Sequence, residues 1–153
     1  MGKRLQTYST PEITVTFDPN RCIHAAECVR GLPNVFDTSR ARWIRPDLAP
    51  AAAVAAVIRR CPTGALHYRL ASGEPESIDG VRIRVTRNGP IYVRGAIRVE
   101  REDGSVIVED MRVALCRCGS SANQPFCDGS HRRVRFSATE SGKKEAEEGQ
   151  VTA

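Results

Sequence analysis

Residues 116–131 read CRCGSSANQPFCDGSH, three cysteines and one histidine within a single short stretch. No other segment restricts the fold as much, because whatever surrounds this loop must hold four soft donors around metal. Cys116 and Cys118 can reach one metal atom from a single loop. Cys127 and His131 lie about one helical turn apart, so both can face a second. Asp128 suits the N-cap of a short helix starting there, with backbone N–H groups turned toward negatively charged ligands. Spacing alone fits a Cys3His zinc site equally well.

Three further cysteines, Cys22, Cys28 and Cys61, lie in the first half. The N-terminal MGKRLQTYST lacks the apolar stretch of a secretory signal, and no run approaches the ~20 apolar residues of a membrane span. These features predict a cytoplasmic protein with no membrane contact. Cysteines clustered in a reducing compartment bind metal or act in redox chemistry more often than they form disulfides. Only 5% of the residues are aromatic, so two small halves would have thin cores, and domains that small usually need a staple.

The chain is expected to be α+β, in two domains. Over 10–70 the pattern reads as a small ferredoxin-like βαβαβ domain. Ile13, Val15 and Phe17 alternate with threonines as a half-buried strand, and Asp18-Pro19-Asn20 ends it. A short helix over about 25–30 follows, then a strand at 42–44. A helix runs from Pro50 to about Arg60 with Val54, Val57 and Ile58 on one face, and a strand at 66–68 closes the unit. ASGEPESIDG at 71–80 reads as a linker. Residues 81–137 break into short alternating strands at 81–85, 91–93, 97–99, 106–108 and 111–115. Asp103-Gly104 is a hairpin signal, and Gly95 bends or ends a strand. Residues 138–153 have no apolar periodicity and read as a disordered tail. The two cysteine sets lie on separate segments, which predicts independent sites.

The stretch from Cys116 to His131 resembles the CDGSH iron–sulfur (NEET) family, matching its signature at Cys116, Cys118, Ser121, Pro125, Cys127, Asp128, Gly129, Ser130 and His131; GPIYVRG at 89–95 resembles its strand region. The resemblance implies a β-rich domain at 81–137 that binds one [2Fe–2S] cluster through Cys116, Cys118, Cys127 and His131. It also implies homodimers formed by strand exchange, and roles in electron transfer, redox sensing, or iron or cluster transfer.

In the first half, CIHAAEC at 22–28 keeps the outer spacing of a ferredoxin Cys-x2-Cys-x2-Cys run but places Ala25 at the middle position. Cys61-Pro62 stands where a remote Cys-Pro is expected. Three thiolates suit a [3Fe–4S] cluster, or a [4Fe–4S] cluster with an exogenous fourth ligand, for which His24 is a candidate. CVRGLPNVFD at 28–37 and CPTGAL at 61–66 give residues 10–69 a resemblance to a divergent single-cluster ferredoxin-like domain. His67 reads as ordinary packing.

Two cluster motifs on one short chain point to electron transfer rather than enzymatic catalysis. No nucleophile–base pair, phosphate loop or paired carboxylates are evident. The alternatives are iron or cluster transfer, redox sensing, and a zinc-stabilised interaction module. Residues 81–137 carry eleven arginines and six acidic residues, a net +5. That excess could attract an acidic protein partner, but without interleaved aromatics it does not suit nucleic acid. The expected partners are a redox or cluster-acceptor protein and a second copy of the chain.

Overall fold

The computed structural model describes residues 2–138. The tail expected over 138–153 therefore lies, apart from Ala138, outside the described residues.

Strand β2 (Ile13–Phe17) buries Ile13, Val15 and Phe17 and leaves the two threonines half-buried, as a period of two requires. It is the centre of a three-stranded antiparallel sheet. β1 (Gln6–Ser9) pairs on one side, and β3 (Leu66–Leu70) on the other. Between β2 and β3 lie α1 (Glu27–Gly31), a 3-10 turn at Pro46–Leu48, and α2 (Ala51–Ile58). The βαβαβ expectation is corrected to β-β-α-α-β. QTYS carries one buried residue, Tyr8, and three exposed ones, too little pattern to announce a strand. The turn at Thr10 folds it back, its hydroxyl accepting from the backbone N–H of Ile13 at 3.1 Å. The strand expected at 42–44 is a single bridge between Phe36 and Ile44. α1 starts late because Ala26 takes a left-handed φ of 61°. Val15, Val35, Phe36, Ile44, Val54 and Ile58 form the fully buried centre of this half.

The second half is another antiparallel sheet, ordered β4 (Arg82–Val85), β5 (Ile91–Glu100) and β6 (Val106–Leu115). The four short strands expected between 91 and 115 are two ten-residue strands, joined at Asp103-Gly104. Gly95 bends β5 without ending it: the register slips between Arg94 and Ile97. Val93, Val113 and Phe126 bury one face of this sheet.

The other face carries Arg112, which is fully buried and reaches into the first half. Its guanidinium donates to the carbonyls of Ile58, Cys61 (3.1 Å) and Leu66 (2.9 Å) and meets the Glu76 carboxylate at 3.1 Å. Ile58 ends α2 and its carbonyl already accepts from the Cys61 N–H at 2.9 Å, so an arginine from a different sheet adds a second, charged donor and places positive charge at the negative end of the dipole. Arg21 reaches the opposite way, donating to the Arg112 carbonyl at 2.8 Å, the Thr63 carbonyl at 2.7 Å and the Asp110 carboxylate at 2.5 Å. Gly64, at φ +67°, permits this approach: a Cβ there would lie 2.2 Å from the Arg112 carbonyl oxygen. Among the described residues, no helix is long and apolar enough to cross a membrane.

Candidate metal centre

β6 delivers Cys116 directly. The loop after it closes back on the strand, with the Cys116 N–H bonded to the Pro125 carbonyl and the Cys127 N–H to the Ala114 carbonyl, both at 2.8 Å. The Ser121 hydroxyl donates to the Phe126 carbonyl at 2.6 Å and accepts from the Asn123 N–H at 3.0 Å. Asp128 accepts from the N–H groups of Ala122 and Ser130, each at 2.9 Å, so one carboxylate ties the loop to α3 (Ser130–Arg133). The N-cap of α3 is Gly129 at φ 88°, not Asp128 as expected.

This frame sorts the four expected ligands into two pairs. Cys116 Sγ and Cys118 Sγ are 3.8 Å apart, and Cys127 Sγ and His131 Nδ1 are 3.4 Å apart. All six cysteines are free thiols. Backbone N–H groups of Ser120 and Gly129 point at Cys118 Sγ and Cys127 Sγ, each at 3.4 Å. Burial pushes the Cys116 thiol up, but N–H groups of Ser121 and Gly119, with Cys118, outweigh it and hold the thiol below its ordinary value. Burial pushes Cys127 up, with Asp128, Cys116 and Cys118 adding to it. Burial and the neighbouring Arg132 push the His131 imidazole down, which keeps a lone pair available for metal. Two pairs of donors, one for each of two metal atoms, fit the expected [2Fe–2S] cluster.

His131 is not exposed. Gly89 covers its Nε2, where an added Cβ would come within 3.4 Å. Arg117, between the first two cysteines, fixes that cover by donating to the carbonyls of Gly89 (3.0 Å), Thr86 (2.7 Å) and Arg87 (3.1 Å). Arg117 is a lone arginine in a basic half, a pattern that carries no signal in the sequence.

In the first half Cys22, Cys28 and Cys61 line one apolar cavity together with Phe17, Trp43 and Leu66. Burial raises the Cys28 thiol to about 11, with Cys61 adding to it. Burial also raises Cys22 against the opposing His24 N–H, and Lys3 counters only weakly. Three thiols in an apolar hollow resist ionisation until a cation takes up their charge, and sulfur donors of this kind fit an iron–sulfur cluster. His24 is exposed at φ 56° and shares an outer hollow with Cys22 and Cys28 but not with Cys61. Among the described residues, no three His, Cys, Asp or Glu side chains gather closely enough to hold a single metal ion.

The two sets meet at Ile23. It follows Cys22, is 2% exposed, and packs with Ala114 and Cys127 in one cluster that Tyr92 and Ala25 border. Its carbonyl accepts a 2.6 Å hydrogen bond from Arg132, the residue after His131, and the Asn20 carbonyl accepts from Asn123 at 3.1 Å. Loops remote in sequence therefore share one packing layer.

His67 also departs from expectation. Its Nε2 lies 3.1 Å from Asp110 and its Nδ1 3.7 Å from Glu76. Burial opposes its charge, but hydrogen bonds to the two carboxylates prevail and raise it to about 9. Asp110, despite burial, is held down at about 2 by His67 and Arg21.

Residues 8–71 match the family described as a divergent 4Fe-4S mono-cluster, and residues 88–132 match the family described as an iron-binding zinc finger of CDGSH type. Two curated relatives, the uncharacterized protein YjdI of Escherichia coli K12 and that of Escherichia coli O157:H7, are each 44% identical to this chain over 62 residues, which is 40% of the chain and 82% of the relative.

Proposed function

Because the chain belongs to the divergent 4Fe-4S mono-cluster family over residues 8–71 and to the CDGSH iron-binding family over 88–132, we propose that it is a two-centre electron carrier. When bound, iron–sulfur clusters supply reversible one-electron chemistry. Cys116, Cys118, Cys127 and His131 hold the [2Fe–2S] centre. Cys22, Cys28 and Cys61 hold the second, a [4Fe–4S] cluster with an exogenous fourth ligand or a [3Fe–4S] cluster, with His24 at the rim.

One observation carries the reading: Ile23 bridges the cysteine sets. Ile23, Ala114 and Cys127 pack in one buried cluster bordered by Tyr92, and the Arg132 side chain donates to the Ile23 carbonyl, so the loops that would hold the two centres are tied together. A buried histidine ligand is less open to protons and acceptors than an exposed one, which disfavours ready cluster release: His131 is buried, with Gly89 against its Nε2.

Protein purified anaerobically from iron-replete cells should contain iron and acid-labile sulfide, with two EPR signals. On full reduction those signals should broaden or split through magnetic coupling between neighbouring centres. Cys28→Ser should abolish the N-terminal signal, and Cys127→Ser the C-terminal one. A colourless protein with stoichiometric zinc and no sulfide would sink the proposal. So would two signals that titrate with no mutual influence.

A further inference from the structure

The face of the second sheet that meets the first half carries a row of arginines. Arg82 on β4 stands directly opposite Arg94 on β5, and Arg94 stands opposite Arg112 on β6. Arg84 lies two residues along β4 on the same face, opposite Tyr92. Like charges directly opposite one another across a sheet are destabilising, so such a row calls for a counter-charge. Arg112 has one in Glu76. Among the described residues, Arg82, Arg84 and Arg94 pair with no carboxylate. Glu76, which lies near Arg94, is already shared by Arg112 and His67.

These three arginines converge on a cleft. With Tyr92 and Pro62 they line a space of about 150 Å³ between the sheets. Pro62 follows Cys61, so the cleft lies immediately behind the N-terminal cysteine set. Arg94 is pinned by donation to the Arg59 carbonyl, and Arg84 lies over the Tyr92 ring with its guanidinium carbon 5.4 Å from the ring centroid. Burial and the neighbouring arginines together push the Arg94 guanidinium below its ordinary value, a cost that a bound anion would remove. Guanidinium forks match the oxygens of phosphate and carboxylate groups and bind them bidentately.

We propose that Arg82, Arg84 and Arg94, with Tyr92 and Pro62 as walls, form a binding site for a small oxyanion of two or more negative charges, a phosphate-bearing or polycarboxylate molecule. The site stands on its own geometry and does not depend on electron transfer. Its recess favours a compact ligand over the broad surface of an acidic protein.

The test is titration calorimetry on the iron-loaded full chain at constant ionic strength, with inorganic pyrophosphate in one arm and citrate in another. Saturable binding with a dissociation constant below about 1 mM is expected in at least one arm. Arg84→Gln and the double variant Arg82→Gln/Arg84→Gln should weaken it by about tenfold or more, while Arg101→Gln on the distal hairpin leaves it unchanged. Both cleft positions are exposed, and unchanged iron content and unfolding midpoint would show that the variants fold. Tighter binding of pyrophosphate assigns phosphate chemistry, and tighter binding of citrate assigns polycarboxylate. No saturable binding in either arm, or equal binding by the variants, overturns the proposal. Binding only to polyglutamate or to anionic phospholipid vesicles would also overturn it, assigning the arginines to a macromolecular surface instead.

Discussion

At Gly64 there is no room for a side chain. The residue sits at φ +67°, and a Cβ would press on the backbone oxygen of Arg112 from the other sheet. Gly64→Ala should cost at least about 1 kcal/mol for the left-handed backbone alone, and more because backbone, unlike a flexible side chain, cannot step aside. Thermal unfolding checks this; an unchanged midpoint would mean that the two sheets do not approach so closely. Ile23 is the complementary case, a side chain that fills the space between the cysteine sets. Ile23→Ala should destabilise by about 2–5 kcal/mol and shift the EPR signals of both centres, whereas a residue serving one site would move one signal.

At the scale of elements, β6 does two jobs. Its outer face joins the hydrophobic layer of its own sheet, while Asp110 and Arg112 insert charge against α2 and β3. Removing one member of such a buried ionic set leaves the others under-compensated. Arg112→Met should cost about 3–5 kcal/mol, read by denaturant unfolding, because Glu76 keeps only His67 and the carbonyls of Ile58, Cys61 and Leu66 each lose a charged donor. The same network sets a pH dependence. His67, flanked by Asp110, Glu76 and Arg112, has a folded pKa of about 9 against 6.5 unfolded. Its stabilising contribution is therefore complete below about 6.5 and is lost as pH rises through 9. Asp110, at about 2 against 3.8, has the opposite sign: its contribution is present above 3.8 and lost as pH falls toward 2. His67→Gln should flatten the alkaline fall in unfolding midpoint relative to the parent protein. Parallel curves for the two would remove His67 from the account.

At the scale of the molecule, the two family segments behave as one body. Arg21, Arg112, Asn123 and Arg132 each cross between the halves, and Glu76, from the stretch expected to be a linker, buries its side chain in the junction. Unfolding should therefore be a single cooperative transition when followed by far-ultraviolet circular dichroism and by cluster absorbance. Two separated transitions would show that the junction contributes little. Stripping iron with a chelator under reducing conditions should lower the midpoint of the whole chain, since both cysteine loops lie against the junction.

The ligand residues were legible in the sequence because metal chemistry limits donors to a few residue types and local loops limit their spacing. Cys116, Cys118, Cys127 and His131 sit within one loop and turn, so no long-range folding was needed to foresee their pairing. The apolar alternation of β2 and the face of α2 were legible for a similar reason: period and burial are local consequences of strand and helix geometry. β1 was not, because QTYS becomes a strand only when β2 offers its edge. Nor was the role of Arg112, Arg21, His67 or Glu76, whose charges look like solvated surface until the other sheet is in place. Residues 22, 61, 112 and 127 come together only in three dimensions. Cys22 shares a cavity with Cys61, Arg112 reaches the Cys61 carbonyl across 51 positions, and no local pattern encodes those contacts.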